Sequence, residues 1–143
     1  MKKTATLTRL ICAILLTVCL LSVTACGDTA TVFVSLDGNT KEVEITLSDY
    51  GDAPTLYDVL YANEELEADL DKTTDPYTIM ALCNVRADAT QVYRVYSNDA
   101  DDAEAGAAAI SFEGEDYYPV TGNVMQLVLR GGTSYLLRLE VLA

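Results

Sequence analysis

The chain has 143 residues, half of them hydrophobic, and its 22 acidic and 9 basic residues give a formal net charge of −13 at pH 7. It contains no His and no Trp. Without His, catalysis by Ser-His-Asp or Cys-His groups and metal binding through imidazole are excluded. The acidic balance argues against nucleic-acid binding, because a basic surface is needed to release the counterions of phosphates. The length suffices for one domain of ordinary size.

The first 25 residues are typical of an export signal. Basic residues at positions 2, 3 and 9 precede the apolar run 10–23. This run is shorter than the roughly 20 apolar residues of a transmembrane helix and fits the apolar core of a signal peptide. The sequence Val23-Thr24-Ala25-Cys26 closes the segment and resembles the lipobox of bacterial lipoproteins. In that family the signal is cleaved and the cysteine thiol carries a diacylglyceryl group. An ordinary secretory signal and an uncleaved anchor are the alternatives.

This resemblance implies a lipoprotein signal peptide over 1–25 and a lipidated N-terminus with a short tether over 26–30. The remainder, 31–143, is expected to be a single β-rich α+β domain. The resemblance also implies a location on the extracytoplasmic face of a bacterial cell membrane, with the lipid bilayer as partner through acylated Cys26. Cys83 is then left without an intramolecular disulfide partner. We expect Cys83 to be a buried structural residue and the apolar core alone to hold the domain together.

The domain is expected to open with a β-hairpin followed by a helix. Apolar and polar residues alternate across a hairpin over 31–47, with a turn at Asp37-Gly38-Asn39, where positive φ is tolerated. Thr55-Leu56-Tyr57-Asp58 has the pattern of a helix-capping box with Asp in place of Glu. An apolar stripe behind it predicts a helix, and its members are Leu56, Val59, Leu60, Leu66 and Leu70.

Strands are expected in the second half of the domain. A continuous apolar run over 77–85 predicts one buried strand, and the alternating segment 91–96 predicts its neighbour. An acidic loop over 97–106 follows, and then a strand over 107–112 and a turn over 113–116. Each boundary is placed where polar and glycine residues interrupt the apolar pattern.

Three more strands are expected at the end of the chain. Residues 117–120 predict an edge strand, because Pro119 cannot donate a hydrogen bond to a sheet. Residues 124–130 and 133–142 predict a closing hairpin with its turn at Gly131-Gly132. A hairpin, one crossing helix and further strands are the plan of a small β-grasp-like α+β domain with a mixed sheet.

Three short motifs support a family resemblance, and they run from Thr55 to Leu60, from Tyr93 to Asn98 and from Leu129 to Tyr135. They are similar to the patterns T-L-x-D-x-L, Y-W-x-x-Y-x-N-G and L-x-x-G-D-x-Y. These patterns belong to a bacterial family of domains of unknown function related to the C-terminal β-lobe of transcobalamin and intrinsic factor. The resemblance would cover about residues 31–142.

The resemblance implies a recognition edge formed by Tyr93, Arg94, Tyr96 and Asn98. Arg94 stands where the family has Trp, so stacking of a flat corrin-like ring is not expected, and a different ligand or a protein partner is favoured. The planar guanidinium of Arg94 suits a planar or anionic group. The competing interpretation is that Tyr93 and Tyr96 are core packing residues.

The acidic loop is a weak candidate for calcium. Asp99 and Asp101 match the first and third ligand positions of an EF-hand loop, but Ala103 stands at the fifth and Glu104 at the required glycine. A solvated loop is the favoured interpretation, with weak calcium binding as the alternative. We expect no metal site and no cofactor.

The sequence thus predicts a membrane-anchored extracytoplasmic lipoprotein whose domain binds a small molecule or a protein partner without catalysis. The alternative is an accessory or structural subunit of a cell-surface or transport complex, held by pairing of an edge strand. A hydrolase that uses paired carboxylates is a third possibility, and it is disfavoured because aromatic sugar platforms containing Trp are absent.

Overall fold

The domain begins with the expected hairpin. The computed structural model describes residues 28–103 and 105–143, so the expectations for the signal peptide over 1–25 and for lipidation at Cys26 lie outside the described residues. Strands β1 (Thr29–Leu36) and β2 (Asn39–Thr46) pair antiparallel around the turn at Gly38. One face of the hairpin is buried, and its apolar members are Ala30, Val32, Val34, Val43 and Ile45.

A single α-helix is present among the described residues, α1 (Leu56–Ala62). The expected capping box is confirmed, since Asp58 N donates to Thr55 Oγ1 at 3.3 Å and Thr55 N donates to Asp58 Oδ2 at 2.8 Å. The helix is shorter than the apolar stripe suggested. A short 3₁₀ turn, Glu64–Leu66, follows it, and Leu70 belongs to a strand.

The apolar run 77–85 forms a hairpin, so the prediction of one continuous strand was wrong. Strand β4 (Thr78–Leu82) pairs with β3 (Asp69–Asp71) on one side and with β5 (Val85–Arg86) on the other, in a separate three-stranded sheet. Cys83 and Asn84 both have positive φ, +50° and +63°, and make the turn between β4 and β5. Cys83 is half-buried rather than fully buried, and desolvation raises the pKa of its thiol.

The main sheet has six strands in the order β2-β1-β9-β6-β8-β7. Its other members are β6 (Gln91–Ser97), β7 (Ile110–Phe112), β8 (Glu115–Pro119) and β9 (Ser134–Val141). The pair β1–β9 is parallel and the other pairs are antiparallel, so the sheet is mixed. The prediction of an edge strand at 117–120 was wrong, because β8 lies between β6 and β7.

The segment 124–130 does not form the strand that the sequence suggested. Val124–Gln126 is a 3₁₀ turn capped by the Asn123 side chain. The rest of the segment runs beside the start of α1, where Leu56 N donates to the Leu127 carbonyl at 2.8 Å and Leu129 N donates to the Pro54 carbonyl at 2.9 Å. Because the Leu127 carbonyl and the Leu129 N–H bond to the segment at the start of α1, they are not paired with β9 as the predicted closing hairpin would require.

Two apolar clusters hold the layers together. The larger one lies where α1, the second sheet and one face of the main sheet meet, and it includes Val32, Leu56, Leu82 and Leu137. The smaller one lies on the other face of the main sheet and contains Tyr96, Tyr117 and Leu136. One α-helix with a mixed sheet confirms the α+β fold class. Among the described residues, no helix has the length and apolar character needed to cross a membrane.

Candidate functional site

Both tyrosines of the predicted recognition edge are buried. Tyr93 is 6% exposed, packs in the larger cluster and donates its hydroxyl to the Val85 carbonyl at 2.6 Å. Tyr96 packs in the smaller cluster and donates its hydroxyl to the Glu140 carboxylate. Their strand, β6, lies inside the sheet rather than at its edge. Ligand binding by these residues stays a prediction, and the burial of both rings favours the packing interpretation.

Arg94 and Asn98 are placed apart from Tyr93. Arg94 Nε lies 3.0 Å from Glu140 Oε2, on an exposed part of the face that carries Tyr96. Asn98 Oδ1 accepts a hydrogen bond from Ser134 N at 2.9 Å and fastens the end of β6 to the start of β9. Because successive residues of a strand point to opposite faces, Tyr93 is separated from Arg94 and Tyr96, which both bond to Glu140. The structure therefore brings together two of the four predicted residues and not the whole set.

Two carboxylates of the acidic loop pair with an arginine side chain from outside the loop. Arg130 Nη2 lies 2.9 Å from Asp99 Oδ2 and 2.9 Å from Asp102 Oδ1, and Ser97 Oγ donates to Asp102 Oδ2 at 2.6 Å. The Asp102 side chain is only 6% exposed. Within 28–103 and 105–143, no group of three or more acidic, Cys or His residues is arranged to hold a metal ion. The loop carboxylates therefore serve to fasten the loop to the segment before β9.

Three tyrosines come together at the surface, and we call them the tyrosine cluster: Tyr57, Tyr61 and Tyr77. Tyr57 and Tyr61 lie one turn apart on α1, and their rings stack with centroids 5.7 Å apart. Tyr57 is half-buried and also packs against the larger apolar cluster. Tyr77 meets Tyr57 edge-on, also at 5.7 Å. Tyr61 is 70% exposed and Tyr77 is 37% exposed. A cluster of rings this open to solvent offers a ready contact surface for a ligand.

A lysine covers part of this cluster. Lys72 Nζ lies 4.9 Å from the ring centroid of Tyr61 and 5.8 Å from that of Tyr57, which is within the range of a cation–π interaction. Lys72 is carried by the β3–β4 turn, where Asp71 Oδ1 accepts hydrogen bonds from the hydroxyl and the N–H of Thr73 at 2.6 and 2.9 Å. These two bonds lower the pKa of Asp71 and stabilise the turn itself.

A cleft of about 390 Å³ opens beside the tyrosine cluster. It lies between the start of α1, the 3₁₀ turn Val124–Gln126 and the loop before β4, and its lining includes Thr55, Tyr57, Asp75, Tyr77, Asn123 and Gln126. A second cleft of about 370 Å³ shares Asp75 and Tyr77 with the first and reaches Tyr93. Aromatic walls with a few polar groups are the usual composition of a small-molecule site.

This site was not predicted from the sequence, although one signal was available. Tyr57 and Tyr61 are four residues apart and outside the apolar stripe of α1, so their side chains are neighbours on the helix surface. No local signal points to Tyr77 or Lys72, because they reach the helix only through the folding of the second sheet.

The sequence matches no protein-family model and no curated protein. Ten chains of solved structures do match it. One is the crystal structure of "a putative metal binding protein from Ruminococcus gnavus ATCC 29149", which superposes with a TM-score of 0.55 and 20% sequence identity over 80% of this chain and 97% of that one. At this identity the likeness shows the fold alone, so this chain is similar to that protein in its α+β architecture.

Proposed function

We propose that the protein is a non-catalytic binding protein whose domain takes up a small ligand at the tyrosine cluster and the adjoining cleft. The observation that carries the proposal is a cluster of three partly exposed tyrosines, two of which, Tyr57 and Tyr77, line a cleft of about 390 Å³. Thr55, Asn123 and Gln126 supply hydrogen-bonding groups beside the aromatic wall. Rings for contact area and a few polar groups for orientation are what a small-molecule site needs.

The second part of the proposal is that the domain is anchored outside the cell. The lipobox-like sequence that ends in Cys26 supports it, and β1 begins at Thr29, so only a short tether would separate the sheet from an acylated cysteine. Intact-mass analysis of membrane-extracted protein tests this part. We expect a chain that starts at Cys26 and carries acyl groups, and a Cys26→Ala variant that leaves the membrane fraction. A variant that still partitions with membranes would contradict the anchor.

The third part is a β-grasp-like arrangement related to the β-lobe of transcobalamin. The order of the elements supports it, since a hairpin is followed by a crossing helix and a last strand, β9, that runs parallel to β1. The family's recognition edge falls at Tyr93 and Arg94, whereas the site proposed here is the tyrosine cluster; the second cleft is lined by both Tyr77 and Tyr93.

An unbiased ligand screen by thermal shift tests the binding function. Residues 27–143 and a Tyr77→Ala variant are screened side by side, with neutral sugars, organic ions and divalent cations, since metal binding is the description attached to the structural neighbour. A ligand that binds only the folded state raises the melting temperature with its concentration. We expect at least one ligand whose shift is reduced in the variant. Shifts that are all equal in the two proteins would contradict the proposed site.

The alternative function, an accessory subunit held by strand pairing, is favoured by one observation. Strand β2 (Asn39–Thr46) forms one edge of the main sheet with eight residues, and such an edge can accept a strand from a partner. A photo-crosslinking residue placed at Glu44 tests it against a matched one at Thr90. Crosslinks from Glu44 alone would favour the accessory role.

A further inference from the structure

We propose that the tyrosine cluster binds a small quaternary ammonium cation, and that Lys72 occupies the same place when no ligand is bound. The inference rests on the proposed function, because it names the ligand class of that site.

The first argument is that the cluster already holds a cation. The ammonium of Lys72 lies 4.9 Å from the centroid of Tyr61 and 5.8 Å from that of Tyr57. A ring face attracts a positive charge within about 6 Å through its quadrupole, and aromatic clusters are the usual receptors of quaternary ammonium groups. A trimethylammonium group has the same charge as the lysine ammonium and no N–H groups that must keep their hydrogen bonds to water. It is therefore better suited to these ring faces than lysine is.

The second argument is electrostatic. The chain carries 22 acidic and 9 basic residues, and an excess of negative charge raises the local concentration of cations at the surface. Asp75 lines the cleft together with Tyr57 and Tyr77, so a carboxylate stands next to the aromatic wall. The same negative charge would repel an anionic ligand and would not attract a neutral one.

The third argument is that Lys72 can be displaced. Lys72 is exposed, and it makes no ion pair within the part of the chain that the structure describes. An exposed cation–π contact is weak, so the side chain can move into solvent when a better cation arrives. Removing the competing ammonium should tighten ligand binding by about two- to fivefold, the factor that corresponds to an exposed cation–π contact.

The test uses the full chain in a non-ionic detergent without a choline head group. Isothermal titration calorimetry compares choline with 3,3-dimethylbutan-1-ol, which has the same shape but no charge. We expect choline to bind at least about fivefold more tightly than the neutral alcohol, since only choline gains the cation–π attraction. Binding should be lost in Tyr61→Ala and kept in Tyr61→Phe. Tyr61 is 70% exposed, so its truncation leaves the core intact.

Two lysine variants complete the design. Lys72→Met should tighten choline binding, whereas Lys41→Met, which removes a lysine that donates to the Glu65 carbonyl, should leave it unchanged. Equal effects of the two variants, or equal affinities for choline and the neutral alcohol, would overturn the inference. Phosphatidylcholine vesicles form a separate arm. Tyr61-dependent binding to vesicles but not to free choline assigns the ammonium to a lipid, and the converse assigns it to a soluble ligand.

The inference and the proposed function can fail separately. If the thermal-shift screen yields a neutral ligand, such as a sugar, whose binding depends on Tyr77, while neither choline nor phosphatidylcholine vesicles bind, the binding function stands and the cation inference is wrong. If no ligand depends on Tyr77 or Tyr61, both are wrong.

Discussion

Replacing Tyr93 by alanine separates its packing role from its predicted binding role. The side chain is 6% exposed within the larger apolar cluster, and its hydroxyl donates to the Val85 carbonyl at 2.6 Å. Truncation of a large buried aromatic side chain costs about 3–5 kcal/mol of the free energy of unfolding. Tyr93→Phe keeps the ring and loses only the hydrogen bond, so it should cost about 0.5–1.5 kcal/mol.

Urea denaturation of residues 27–143, followed by circular dichroism, measures these differences. Tyr61→Ala is the matched control, because its ring is mostly exposed and its loss should change stability by less than about 0.5 kcal/mol. Arg94→Ala should have a similarly small effect, since its ion pair with Glu140 is largely solvent-exposed on the arginine side. A Tyr93→Ala variant that loses less than about 1 kcal/mol would refute the packing argument. The predicted recognition edge would then regain its support.

Three further predictions concern the loop, one phenol and metal dependence. Asp102→Ala should lower the free energy of unfolding by about 1.5–3 kcal/mol, because Ser97 and Arg130 lose the carboxylate that accepts their hydrogen bonds. An unchanged urea midpoint would contradict this. Burial, and then the hydrogen bond to Glu140, raises the pKa of Tyr96 from 10.0 to about 12, so an absorbance titration should show a phenol that ionises well above pH 10 and that is missing in Tyr96→Phe. Because that pKa is raised in the folded state, its contribution to stability is complete below pH 10 and is lost as the pH rises towards 12. Residues 27–143 should fold with chelator and reductant present, and a circular dichroism spectrum that becomes ordered only after calcium is added would contradict that.

The parts of the fold that depend on residues close together in the sequence could be predicted. The β1–β2 hairpin follows from the alternation of apolar residues, and the start of α1 follows from the Thr55–Asp58 capping box. The turn at Cys83-Asn84 could not be predicted, because neither residue is glycine although both have positive φ. The 124–130 segment was also missed, since its backbone partners, Pro54 and Leu56, are distant in sequence.

The candidate site was harder to predict than the fold. The family resemblance drew attention to Tyr93 and Tyr96, but these two rings pack in different apolar clusters on opposite faces of the main sheet. The tyrosine cluster is assembled from the helix α1 and the loop between β3 and β4. Only the helical pair, Tyr57 and Tyr61, was recognisable from its spacing.

The parallel pairing of β1 with β9 has a consequence for how the chain folds. It joins residues 31–35 to residues 134–138, so the centre of the main sheet is built from the two ends of the domain. Contacts between such distant positions raise the contact order and slow folding. During synthesis from the N-terminus, the β1–β2 hairpin has no central partner until β9 has emerged. A chain that stops before Ser134 would leave both β1 and β6 unpaired on one side, and such open strands invite aggregation.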